Sequence, residues 1–249
     1  MRKASGLAMS TVEATSLAFA IAILTFFALV PASRALAALQ QQGPTPNVQP
    51  APGGGDGPGS GCGGSEGSPI LIDTTGQGFF LTNVANGVKF DISGTGTPVQ
   101  MAWTAQGANN AFLALPGSDG LVHNGKQLFG DYTPQPPSSD PNGFRALAVY
   151  DLPENGGNGD GVIDSRDAIF SSLRLWIDTN HDGISQPEEL HTLPSMGVYS
   201  ISLEYWLSRK RDQWGNQFRY RGDVNPWDHP TNPADAIERV IYDVFLMEG

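Results

Sequence analysis

The stretch SRDAIFSSLRLWIDTNHDGISQPEE, residues 165–189, carries both a fold signal and a chemical one. Ile169, Phe170, Leu173, Trp176 and Ile177 fall at i, i+1, i+4, i+7 and i+8, one face of a helix, so the spacing predicts a helix over 165–177 capped by Asp164. Immediately after it, Asp178, Asn180 and Asp182 hold alternate places, Gly183 stands sixth and Glu189 twelfth. A hard divalent cation such as calcium needs six to eight oxygens, and alternate residues of a tight loop can aim them inward. Asp178, Asn180, Asp182 and Glu189 are therefore candidate ligands, with Ile184 offering its carbonyl. The apolar residue that usually stands eighth is here seventh, Ile184, with Ser185 eighth, which leaves Glu188 as an alternative to Glu189 for closing the loop.

A second loop lies upstream. Asn158, Asp160, Gly161, Ile163 and Asp167 fill places three, five, six, eight and twelve, with Val162 supplying the carbonyl at seven. Its first place falls on Gly156, which has no side-chain ligand. The first charge must come through a longer loop from Asp151, Glu154 or Asn155, and Asp151 is favoured because it follows the helix expected over 142–150. The loop should be the weaker of the two, since Asp167 is shorter than a glutamate. From Asp151 to Glu189 there are nine carboxylates against Arg166 and Arg174, a crowding that repels itself without a cation.

Around this centre the chain reads as five parts. Residues 1–37 form an export signal: Arg2 and Lys3, an uncharged apolar run from Leu17 to Val30, and a small-x-small site at Ala35-Leu36-Ala37. Residues 38–68, rich in Gln, Pro, Gly and Ser, offer little to bury and read as a flexible linker. Residues 69–140 are β-rich: Val88, Phe90, Ile92 and then Val99, Met101, Trp103 alternate with period two. Residues 141–195 hold the paired loops and a short third helix starting at Pro187. Residues 196–249 return to strands over 200–206, 217–221 and 240–246. The expected fold class is α+β, short antiparallel strands flanking a central helical pair.

Composition narrows the function classes. The formal charge of −11 becomes −13 once residues 1–37 are removed. Such acidity excludes nucleic acid as a partner and disfavours membrane contact beyond the signal segment, because both require clustered Lys and Arg. Cys62 is the sole cysteine, so no internal disulfide can form and stability must come from packing or metal. No Ser-centred nucleophile elbow, phosphate loop or HExxH helix occurs.

The run from Asp160 to Leu190 resembles the EF-hand-like calcium module attached to haemolysin-type, repeats-in-toxin secreted proteins and found in related bacterial surface proteins. The resemblance extends from Pro69 to about Leu203. In those relatives the upstream turns read Asp-x-Asp-Gly-Asp-Gly. Here Asp73 to Gly78 and Asp91 to Gly96 keep the first Asp and the glycines and lose the other carboxylates, and Gly117 to Gly120 is a third remnant; all three read as structural turns. The glycine-rich nonapeptide repeats of the toxins are absent. The resemblance implies calcium as cofactor, a secreted or cell-surface location, and a non-catalytic surface or adhesion module whose partner is a cell-surface protein or polysaccharide. A secreted hydrolase or polysaccharide-modifying enzyme stabilised by calcium is the alternative.

Overall fold

The computed structural model describes residues 67–249 except Asp228 and Asp235; the signal segment, Cys62 and most of the linker lie outside the described residues. The folded part already includes two residues assigned above to the linker, since Gly67 bridges Leu246 and Ser68 is buried.

Eleven strands form in chain order: β1 Ile70–Asp73, β2 Val88–Phe90, β3 Val99–Met101, β4 Asn110–Ala114, β5 Val162–Asp164, β6 Arg174–Trp176, β7 Leu190–Thr192, β8 Ser200–Ser202, β9 Trp206–Arg211, β10 Gln217–Val224 and β11 Arg239–Phe245. Nine of them make one antiparallel sheet in the order β5-β8-β10-β11-β1-β4-β6-β7, with β9 also on β10, while β2 and β3 pair separately. The central strands are buried on both faces. In β1, Ile70 and Ile72 enter one apolar cluster with Leu113, Leu175, Ile201 and Ile241, and Leu71 enters the opposite one with Phe112, Trp103, Trp176 and Val244. This two-sided burial is why Ile70-Leu71-Ile72 is a continuous apolar run rather than an alternating one.

The fold is mostly β, which corrects the α+β expectation. The central helical pair does not exist: residues 165–177 form a turn, a single 3-10 turn at Phe170–Ser172, and β6. Leu173-Arg-Leu-Trp-Ile177 satisfies a helical face and a doubly buried strand equally well, and pairing with β4 on one side and β7 on the other wins. An isolated 13-residue helix is marginal in water, so local periodicity had little to set against two strand ladders. The third helix is likewise one 3-10 turn, Pro187–Glu189, followed at once by β7. The one α-helix among the described residues is α1, Gly143–Ala148, inside the expected 142–150; Asn142 caps it by accepting the Arg145 amide at 3.0 Å. The strand expected over 217–221 is longer and pairs with β9 across the turn at Asp212 to Asn216.

One buried charge gives the fold a pH signature. Asp243 of β11 is fully buried, its Oδ2 accepting the Gly143 amide at 2.7 Å, and burial pushes its carboxyl up to about 7. A raised carboxyl holds a proton in the folded chain that the unfolded chain has already lost, so this group stabilises least at high pH. Stability is expected to fall as pH rises from about 4 to about 7, and Asp243→Asn to flatten that slope in thermal melts.

Candidate metal centre

The loop at 178–189 joins β6 to β7, and the two end carboxylates of the predicted set are the buried ones. Asp178 accepts the Asp182 amide at 3.2 Å through Oδ1 and the Gly183 amide at 2.9 Å through Oδ2. Glu189 accepts the amides of Thr179 at 2.9 Å and Gln186 at 3.4 Å. Both are held from behind by indoles of the second apolar cluster: Trp103 Nε1 donates to Asp178 at 2.7 Å and Trp176 Nε1 to Glu189 at 3.2 Å. Asn180 and Asp182 lie toward solvent, Asn180 Nδ2 donating to Asp182 at 2.9 Å and Gln186 Nε2 donating to it at 3.0 Å. Ile184 is exposed, and its amide donates to Asp182. Glu188 is exposed while Glu189 is folded into the loop. The sharp turn at the sixth place is real: Gly183 has φ +72°, and a Cβ there would meet Val88 at 2.8 Å.

The loop at 151–167 repeats this plan. Asp151, buried at the end of a 3-10 turn, accepts the amides of Gly159 at 3.0 Å and of sixth-place Gly161 at 2.9 Å. Asp167 accepts the amides of Asn158 at 3.2 Å and Asp164 at 2.8 Å. Asn158 and Asp160 are linked as Asn180 and Asp182 are, and the Val162 amide donates to Asp160. Glu154 and Asn155, the other candidates for first place, are exposed. Burial, together with the charges of Asp151 and Asp164, pushes the Asp167 carboxyl above its ordinary range. For Asp164 burial also acts upward, but Arg166 and the other donors outweigh it and the carboxyl is lowered. In both loops, then, a buried first carboxylate and a buried last carboxylate accept from the loop's own amides, and an Asn and an Asp between them lie toward solvent. That oxygen-only donor set suits a hard divalent ion.

Residues 70–238 match the family profile described as the SPM domain. This chain belongs to the SPM domain family. The SPM domain here is also 34% identical over 166 residues to the iron-regulated protein FrpA of Neisseria meningitidis serogroup C, covering 66% of this chain and 14% of that protein. The chain thus spans about a seventh of that relative's length.

Within the SPM domain the two upstream turns share one feature of the loops and lack the rest. Asp73 accepts the amides of Thr75, Gly76 and Gly78, and Asp91 those of Thr95 and Gly96, at 2.6–3.1 Å. Each carboxylate is engaged with backbone and no second acid closes the turn. Asp119 instead pairs with His123 at 2.7 Å. The eighth-place residues separate the loops from each other: Ile163 pairs with Ile201 in the sheet, and the Ser185 hydroxyl bonds the backbone of Val122 at 2.8 and 3.0 Å. Sequence reasoning missed Trp103, Trp176, Gln186 and Arg166. Trp103 lies 75 positions from Asp178, and nothing local announces that contact.

Proposed function

We propose that this SPM domain binds calcium at two unequal loops, with ligands Asp178, Asn180, Asp182, Ile184 and Glu189 in the tighter one and Asp151, Asn158, Asp160, Val162 and Asp167 in the weaker. The kinship to EF-hands lies in the spacing of ligands, not in flanking helices. The observation that carries the reading is the pair of buried end carboxylates in each loop, the first of each pair bonded to the amide of the sixth-place glycine and the last closing the same loop. Bound calcium supplies charge neutralisation and a fixed loop shape. Dissociation constants on the order of 10⁻⁵ to 10⁻³ M suit such imperfect ligand sets.

Calcium acts here as a structural staple. One loop runs into β5 and the other joins β6 to β7, so the loops secure both ends of the main sheet. The module is exported, by the apolar run at 17–30 and the likeness to FrpA, and serves as a non-catalytic surface or adhesion unit whose partner is a cell-surface protein or polysaccharide. Because Trp103 and Trp176 touch Asp178 and Glu189, terbium placed in the tighter loop should luminesce on indole excitation, and calcium should quench it by displacement. Asp73→Ala should leave that signal and the calcium stoichiometry unchanged; a bound ion lost with Asp73 would move the site upstream. Absence of terbium luminescence contradicts the proposal.

A second reading, a calcium-stabilised hydrolase, draws on one observation. Asp131, Ser139, Asp140, Pro141, Arg219, Tyr220 and Phe245 line a cavity of about 350 Å³, and burial raises the carboxyls of Asp131 and of nearby Asp243. Turnover of a glycoside or peptide library that disappears in Asp131→Asn would favour it.

A further inference from the structure

Asp160, Asp164 and His229 bring ligand atoms within 4.8 Å of one another. Such a trio invites a metal, but a cation of the chain already occupies the convergence. Arg166 Nη2 lies 2.5 Å from Asp160, 2.6 Å from Asp164 and 3.1 Å from His229 Nε2, and Arg166 Nε adds contacts of 3.1 Å to both Asp164 oxygens. Asp164 and His229 are in turn tied to Thr231, at 3.1 and 3.0 Å. The guanidinium is thus anchored by a fully buried carboxylate and a second loop, and it points its remaining charge at Asp160.

Asp160 is the fifth-place ligand of the weaker loop. In the tighter loop the same place, Asp182, accepts from neutral donors, the side-chain amides of Asn180 and Gln186 and the backbone amide of Ile184. The contrast lies at the eleventh place, Arg166 in one loop and Glu188 in the other, a fixed cation against an anion.

We propose that Arg166 is a competitor cation built into the weaker loop: calcium enters only when the Asp160 carboxylate leaves the guanidinium, and this competition sets the inequality of the two sites. The inference rests on the calcium reading above and adds the regulation of one of its sites. A ligand whose receptor group is available for only part of the time binds with an affinity reduced by that fraction. Arg166 therefore raises the calcium concentration at which the 151–167 loop fills and leaves the 178–189 loop untouched.

Calorimetric titration of calcium into the whole chain tests this, with wild type, Arg166→Gln and His229→Gln compared. Glutamine keeps donors for the buried Asp164 but removes the charge. Arg166→Gln is expected to tighten the weaker site by about tenfold, within the usual range of coupling between sites, and to leave the tighter site unchanged. His229→Gln, which removes the imidazole that anchors the guanidinium along with its bond to Thr231, should tighten the weaker site in the same direction and by less; it serves as the measure if Arg166→Gln does not fold. A wild type with one detectable site and an Arg166→Gln chain with two supports the same conclusion. Two sites in wild type with neither variant tightening the weaker one overturns the competitor role alone. No calcium heat in any chain overturns the calcium reading with it.

Discussion

Chelating calcium is expected to lower the thermal midpoint of the folded chain by about 5–10 °C. A ligand that binds only the folded form stabilises it by RT ln(1 + [L]/Kd), about 2.7 kcal/mol when calcium stands a hundredfold above its dissociation constant. For a domain of this size each kcal/mol moves the midpoint by about 2–4 °C. The loss should be uneven along the chain. β5 and β7, each three residues long, end the sheet, and the loops that lead into them carry most of the nine carboxylates. Without the cation those charges repel one another within each loop. Hydrogen exchange should therefore rise over 151–193, while β1, β4 and β11, fully paired and buried on both faces, keep their protection. Equal protection of 151–193 with and without calcium would remove the staple from the account.

The second large effect belongs to Asp178→Ala. This carboxylate accepts from the amides of Asp182 and Gly183 and from the Trp103 indole, so its loss removes a ligand and the frame that shapes the loop. Binding at the tighter site should vanish at millimolar calcium. The calcium-free protein should also weaken, because the buried indole N–H left without an acceptor costs about 1–3 kcal/mol. Asp178→Asn separates the two effects: its one oxygen still accepts from the indole and the Gly183 amide, while the charge and the acceptor for the Asp182 amide are lost, so without calcium it should melt between wild type and Asp178→Ala and still fail to bind calcium. Circular dichroism melts with and without calcium distinguish these outcomes. Binding of calcium by Asp178→Asn at wild-type strength would place the ion elsewhere.

The loops were legible in the sequence because their logic is local. Asp, Asn and Asp at alternate places followed by Gly need no knowledge of the fold, and the structure buries Asp178 and Glu189 at the ends of one such loop and Asp151 and Asp167 at the ends of the other. The β-rich start was legible for the same reason, in the period-two runs at 88–92 and 99–103, and the final strand was legible as a short apolar run. The central helix was not, because Leu173, Leu175, Trp176 and Ile177 fit a helical face as well as a strand, and the choice is made by pairing with β4, about sixty positions upstream, and with β7 across the loop. Nor could the spacing disclose Trp103 behind Asp178, or Arg166 across from His229, since both contacts join residues more than sixty positions apart. The spacing of the proposed ligands is a local property, whereas what anchors and opposes those side chains is set by the sheet.

The central claim stands or falls on a calorimetric titration of the whole chain with calcium. The account predicts two unequal sites with dissociation constants on the order of 10⁻⁵ to 10⁻³ M, the tighter lost in Asp178→Ala and the weaker in Asp151→Ala. Absence of heat together with no chelator-sensitive spectral change at millimolar calcium would contradict it.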